Sequence, residues 1–151
     1  MGDIMFNNLY MNLAVEEAKK AFLENEVPVG AVIIRENEVI SKNHNIKTQN
    51  NDIMGHAEIV SLLDASKKIG DWRLNDCEMY ITLEPCPMCA GAILNSRIKK
   101  IYIGTKSNIL SNSAIIKGIL QNKEYNHYVE IEYVNDAESS KILSAFFSNK
   151  R

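Results

Sequence analysis

Two short segments carry residues suited to metal chemistry: His56-Ala57-Glu58 and Pro85-Cys86-Pro87-Met88-Cys89. Cys86 and Cys89 are three residues apart, a spacing that puts both sulfurs on one side of a helix's first turn. Two thiolates and an imidazole are soft or borderline ligands that favour zinc over hard ions. A tetrahedral zinc with three protein ligands keeps one position open, the catalytic kind of site. Zinc lowers the pKa of water there to about 7, making hydroxide available at neutral pH. Glu58 is too close to His56 to be a convenient fourth ligand on a regular helix. It suits a proton carrier instead, taking a proton from water and delivering it to a ring nitrogen and to the leaving nitrogen. A hydrophobic wall would raise its pKa toward the useful range. Hydrolytic removal of an exocyclic amine from an aromatic ring needs this set.

Each segment alone reads differently. A lone C-x-x-C also fits a redox pair or half of a structural zinc knuckle, and a lone H-x-E says little. A structural zinc wants a fourth Cys or His, which is hard to find. Cys77 precedes a strand and reads as a bystander thiol. His44 and His127 read as surface or packing residues, and Met88 as core.

The elements that must position these residues follow from hydrophobic periodicity. Leu9, Leu13, Ala14, Ala18, Ala21 and Phe22 recur at helical spacing, giving an amphipathic helix over about 7–24. Strands over 29–35 and 38–42 flank the Glu36-Asn37 turn and form a hairpin. Residues 43–54 are a polar loop long enough to suggest function. A helix runs from near Gly55 to about Ile69, with Gly70 as its stop. A third strand, 78–83, leads straight into the cysteine segment. There Pro85 and Pro87 flank Cys86 at a helix start, where a missing N–H costs nothing. That helix runs to about Ser96. A fourth strand spans 100–104, a polar loop 105–113 and a short helix 114–120. A fifth strand spans 128–133, and a closing helix 137–147. Strands alternating with helices indicate an α/β layered domain. His56 and Cys86 both fall at helix starts, whose unpaired N–H groups favour anions and depress thiol pKa values.

At 151 residues the chain is expected to be a single domain, 1–151, with a core of its own. No apolar run approaches the roughly 20 residues that cross a bilayer. Met1 to Asn12 carries an acid and no basic cluster, so it does not read as a signal peptide. The expected location is cytoplasmic. Three cysteines, two of them in C-x-x-C, argue for metal or redox chemistry rather than a disulfide framework. The formal net charge is −2, yet 85–123 has no Asp or Glu and holds Arg97, Lys99, Lys100, Lys106, Lys117 and Lys123. Such a segment can form a local positive face, although a solvated surface is the commoner outcome.

With these residues in view, the sequence resembles the zinc-dependent cytidine-deaminase superfamily, and within it the bacterial tRNA-specific adenosine deaminases. H-x-E with P-C-x-x-C is the established signature of that superfamily. The resemblance covers nearly the whole chain: Glu26-Val27-Pro28-Val29-Gly30-Ala31-Val32, His56-Ala57-Glu58-Ile59, Thr82 through Ala92, Asn95-Ser96-Arg97-Ile98, Asn126-His127 and Phe146-Phe147. It implies a three-layer α/β/α cytidine-deaminase-like fold with a central five-stranded mixed sheet. His56, Cys86 and Cys89 would hold one Zn2+ per subunit, and Glu58 would be catalytic. Asn45 would hydrogen-bond a flipped base, the Ala57 backbone would help bind it, and Val27 would pack against it. Glu84, Pro85 and Ser107 complete the implied substrate-binding set. The resemblance also implies a homodimer with tRNA lying across both subunits. Arg97, Lys106, Lys150 and Arg151 are the residues suited to its phosphates.

The chain departs from the family pattern in two places. Ser107 stands where the family has Asp, with Ile109 and Leu110 at polar and basic positions, and Ile53 stands where Pro is frequent. Both departures fall where substrate should bind, not at the metal. A carboxylate can mark RNA by accepting from a ribose 2′-OH; a serine does so without charge assistance. The expected activity is hydrolysis of adenosine to inosine in a tRNA anticodon loop, where an unpaired base is cheaply extruded. The alternative is deamination of a free base, nucleoside or related aminated heterocycle of guanine or cytosine type. A third reading, a zinc-stabilised RNA-binding or interaction module without activity, leaves Glu58 without a use.

Overall fold

The computed structural model describes residues 5–149. Lys150 and Arg151, the expected terminal phosphate contacts, lie outside the described residues. β1 (Gly30–Arg35) and β2 (Glu38–His44) form an antiparallel hairpin. Its turn residues Glu36 and Asn37 have φ of 52° and 65°, the left-handed pair whose twist suits a two-residue hairpin. β2 runs past the expected end at Lys42, because His44 still pairs with Gly30. β3 (Cys77–Leu83) pairs antiparallel with the other edge of β1. β4 (Lys100–Thr105) is parallel to β3, and β5 (Glu130–Tyr133) is parallel to β4. The result is a mixed sheet of order β2-β1-β3-β4-β5. β5 begins later than expected, since the Val129 N–H leaves the ladder and donates to Leu120 O.

Pleating divides the strand residues between two faces. Ala31, Ile33, Met79, Ile81, Ile101 and Ile103 pack with α2 (Ala57–Ile69), α3 (Pro87–Asn95) and α4 (Asn112–Leu120), through Leu62, Ala65, Ile93 and Ile116. Val32, Ile34, Tyr80 and Tyr102 meet α1 (Asn8–Leu23) on the opposite face. Beside α1 lies α5 (Ala137–Asn149), where Phe22 and Phe146 meet edge to face at 6.1 Å. This is the three-layer α/β/α arrangement that the resemblance implies.

The buried stripe of α1 is turned one residue from the expected one. Tyr10, Met11, Ala14, Val15, Ala18 and Ala21 face the sheet, and Leu9 is 59% exposed. The alanines let the helix lie close to β1. A Cβ on Gly30 would run into the Ala14 carbonyl and lie 2.7 Å from the Ala18 nitrogen. Only glycine fits there, so α1 fixes the start of β1 and the 26–29 segment before it.

The strand directions gather the functional loops. Gly30 pairs with His44, and Ala31 with Ile81; Leu83 pairs in turn with Thr105. The entry to β1 and the exits of β2, β3 and β4 therefore lie at one end of the sheet. Ligands of α/β sheets bind outside the carboxyl ends of the strands.

Candidate active site

His56 and Cys86 are each the residue just before a helix. His56 precedes α2 with φ −83° and ψ 145°, and Cys86 precedes α3 with φ −75° and ψ 169°. Both extended backbones turn a side chain across the mouth of the helix that follows. Pro87 opens α3, with its fixed φ suited to the first turn. Cys89 lies in that same turn. The two helices stand side by side on one face of the sheet, so both N-termini converge. His56 Nδ1 is 3.7 Å from Cys86 Sγ and 3.4 Å from Cys89 Sγ. The three donor atoms all lie within 4.8 Å of one another, and among the described residues they form the one group able to hold a metal ion.

The environment favours a thiolate at this point. The Cys86 thiol is pushed down to about 5, chiefly by a hydrogen bond from Cys89. Burial opposes that shift, while the N–H groups of Cys89 and Met88 and the His56 charge support it. Cys89 is pushed up by the same thiol–thiol bond and by burial. Glu58, in the first turn of α2, is 4% exposed. Burial is the main cause that pushes its carboxyl up to about 7.

His56, Cys86 and Glu58 line a cavity of about 260 Å³, whereas Cys89 is fully buried and does not reach its surface. Of the residues singled out from sequence, Val27, Asn45, His56, Ala57, Glu58, Glu84, Cys86 and Ser107 line it. Asn45 is buried; its Nδ2 donates to Val27 O at 3.4 Å, and its Oδ1 has no partner. A buried, unpaired acceptor is costly unless a ligand supplies the missing donor. Pro87 and Ile109 line it too, Ile109 being one of the departures from the family pattern, and Val29, Lys47, Leu83 and Asn112 line it without having been assigned to the site. The hairpin pattern could have suggested Val29, which directly follows the Val27-Pro28 segment. Nothing local in the sequence points to Asn112, which arrives from the start of α4.

The loop after β2 is held from beneath. The buried Glu26 carboxylate accepts from Thr48 N at 3.0 Å and from Gln49 N at 2.6 Å. Ile46 N donates to Gly55 O at 2.8 Å, and a Cβ on Gly55 would come within 2.9 Å of the Lys47 backbone. On the opposite wall, Glu84 accepts hydrogen bonds from Asn112, Ser113 and Tyr133 and from the Ser107 N–H. Burial alone would raise its pKa, but these donors together hold it below the usual carboxylate range. Pro85 contributes its carbonyl, which accepts from Asn112 Nδ2 at 3.2 Å.

A larger cavity, about 440 Å³, lies between residues 105–108 and α5. It adjoins the first through the shared residues Leu83 and Ser107. None of His56, Cys86 and Cys89 lines it. Lys106 lines the larger one, with Nζ 5.0 Å from the centre of the Tyr133 ring. Arg97 is not brought to either. It sits past the far end of α3, where its guanidinium donates to Leu94 O and Asn95 O and stands 5.6 Å from the Trp72 ring. Cys77 is buried at the start of β3, its thiol pushed up to about 11 by burial. His44 is held between Glu17 and Glu24, and His127 donates to Ile98 O. These three do what the sequence suggested and stay clear of the metal group.

Comparison with known proteins agrees with this geometry. The family profile of the MafB19-like deaminases matches residues 5–151. The tRNA-specific adenosine deaminase of Bacillus subtilis (strain 168) is 40% identical over 96% of this chain and 91% of its own. A solved tRNA:A34 deaminase, studied for A-to-I editing at the wobble position of transfer RNA, superposes with a TM-score of 0.83. It is 32% identical over 91% of this chain and 100% of its own. The guanine deaminase of Bacillus subtilis is 28% identical, with a TM-score of 0.66, and 95% of each chain is covered. No helix among the described residues is long and apolar enough to cross a membrane. With its donor set, its fold and these likenesses, the chain belongs to the deaminases, in the family of the tRNA-specific adenosine deaminases.

Proposed function

We propose that this chain is a zinc-dependent hydrolase that converts adenosine to inosine at the wobble position of a tRNA anticodon loop, releasing ammonia. The observation that carries the reading is the placement of His56, Cys86 and Cys89 around one point, with buried Glu58 lining the same cavity as His56 and Cys86. The donors fit zinc. Ordinary Zn–S and Zn–N bonds at tetrahedral angles put a ligating nitrogen and sulfur about 3.6 Å apart; the observed separations are 3.7 and 3.4 Å. His56 Nδ1 and the two sulfurs would hold the ion, leaving a place for solvent. Zinc there supplies Lewis acidity, bringing the pKa of water down to about 7.

The remaining work falls to this chain's own residues. Asn45 offers its unpaired Oδ1 to a donor on the base edge, and Val27, Val29 and Leu83 supply apolar wall. The Ala57 backbone borders the same space. Glu58 accepts a proton from the attacking water and passes protons to the ring nitrogen and then to the amine. Water adds across the ring C–N bond, the exocyclic C–N bond breaks, and ammonia leaves with the transferred proton. At about 260 Å³ the cavity is just below the usual range for drug-sized ligands, roughly 300 Å³ upward. That suits a single extruded base better than a whole nucleotide chain.

Lys106 beside the cavity suits an adjoining phosphate; Arg97, Lys150 and Arg151 would serve RNA reaching beyond it. A homodimer is part of the same reading. Leu63 on α2 and Ile115 on α4 are large exposed apolar residues on the outer side of one helix layer, suited to a symmetric contact. An anticodon-loop substrate places the protein in the cytoplasm.

The altered wall gives a second reading its footing. Ser107 replaces an acid, and Ile109 lines the cavity, which suits a small aminated heterocycle such as guanine. Incubating the purified protein with an anticodon stem-loop RNA, and separately with free aminopurines and aminopyrimidines, decides between them. Inosine in the RNA is the expected result. Ammonia from a small molecule, with RNA left unchanged, overturns it.

A further inference from the structure

We propose that Glu84 is a positioning residue: it shapes the 106–113 wall against which the RNA beside the reacting base is held, without touching the RNA itself. This rests on the reading of the site as an RNA deaminase. Glu84 is 3% exposed at the exit of β3. Its carboxylate is fully occupied by protein donors. Oε1 accepts from Asn112 Nδ2 at 2.8 Å and from Ser107 N at 3.3 Å. Oε2 accepts from Ser113 Oγ and Tyr133 OH, each at 2.6 Å. Such short bonds to a carboxylate are the strong, charge-assisted kind.

The donors come from three places: the loop after β4, the first turn of α4, and β5. Glu84 N also donates to Thr105 O at 2.8 Å. One residue thus fixes both ends of the 106–111 segment. Ser111 gives α4 no side-chain cap, and the Glu84 carboxylate occupies that end of the helix, where a negative charge is favoured. Between the anchors the segment holds itself weakly, through Ile109 N to Ser107 Oγ at 3.2 Å and Asn112 N to Ile109 O at 3.0 Å. Leu110 is wholly exposed. The segment nonetheless carries Ser107 and Ile109 into the catalytic cavity and Lys106 into its neighbour.

Tyr133 extends the effect to a charge. Its hydroxyl is held by Glu84, and its ring lies 5.0 Å from Lys106 Nζ, a cation–π distance. Asn112 links the same carboxylate to Pro85 O, next to the metal ligand Cys86. Losing the carboxylate frees four donors, at Ser107, at the start of α4 and at Tyr133, while the backbone bond to Thr105 and the metal donors stay in place.

The test compares Glu84→Ala, Glu84→Gln and Tyr133→Phe with the wild type. The measurements are hydrogen exchange over 106–113, zinc content, and steady-state kinetics on an anticodon stem-loop RNA. Glu84→Ala should speed exchange in 106–113 and raise KM about tenfold, the worth of one charge-assisted bond. Its kcat should fall much less, and it should keep its zinc. Glu84→Gln, which still accepts and can reorient with the two hydroxyls, should recover part of the loss. Tyr133→Phe, the gentler change should Glu84→Ala not fold, should raise KM by a smaller factor and leave kcat unchanged. Unaltered exchange in 106–113, or a fall in kcat at constant KM, overturns the proposal. Wild-type protein that leaves the RNA unedited overturns the proposed function instead, and the exchange measurement still decides whether Glu84 anchors the segment.

Discussion

Replacing Glu26 by alanine should loosen the other wall of the catalytic cavity. Its buried carboxylate accepts from two backbone N–H groups, at 3.0 and 2.6 Å, in the loop that leads from Asn45 past Lys47. Hydrogen bonds to a charged group are worth about 1.5–3 kcal/mol each, so two set a ceiling of about 3–6 kcal/mol. Thr48 and Gln49 are exposed, so water takes over their N–H groups, and removing a buried carboxylate ends its desolvation cost. Both effects bring the net loss to about 2 kcal/mol. For a chain of this size each kcal/mol shifts Tm by roughly 2–4 °C, giving a fall of about 4–8 °C. Glu26→Gln, which keeps one acceptor oxygen, should lose about half as much. Thermal unfolding followed by circular dichroism measures the shift, and RNA kinetics should show KM rising, because Asn45 and Lys47 lose their support. A Glu26→Ala protein with Tm within about 1 °C of wild type and the same KM would refute the anchoring role.

Other expectations follow from single contacts. Glu58→Ala should cut inosine formation at least about 100-fold, the low end for a general acid–base group, with zinc content unchanged; near-normal turnover would remove the proton carrier. Glu78 is buried with Oε1 unpartnered, and burial raises its carboxyl above 4.5. The folded state therefore holds the proton to higher pH than the unfolded one, and stability falls as pH rises from 4.5 through the folded value. Glu78→Gln should raise Tm at pH 7.5 and change it little at pH 4; an equal shift at both would contradict this. Gly30→Ala drives a methyl against the Ala14 carbonyl and should cost about 1–3 kcal/mol, read as a lower denaturant midpoint with an unchanged slope.

The candidate metal group is legible in the sequence because its donors are rare residue types, each beside a helix start that periodicity and the flanking prolines mark. The strands and helices are legible for the same reason of periodicity. Misread features depend on partners far away in sequence. Leu9 looks like core by spacing, but the sheet takes the neighbouring stripe, through Tyr10 and Met11. The acid-free run 85–123 is not one positive face. Lys100 is neutralised by Glu132 from β5, and Arg97 and Lys106 lie at opposite ends of the sheet. Glu84 adjoins Pro85 and Cys86 in sequence and lines the cavity with Cys86. The donors that fill its carboxylate could not be read from the sequence, because Asn112 and Tyr133 fold back onto it from 28 and 49 residues later.

X-ray absorption at the zinc edge, on protein purified without added metal and titrated with zinc, reads the coordination shell directly. Two sulfurs, one imidazole nitrogen and one further light atom that solvent can exchange are expected, lost together when His56 is replaced. A shell closed by four protein ligands, or full activity in protein stripped of metal, would contradict the assignment of His56, Cys86 and Cys89.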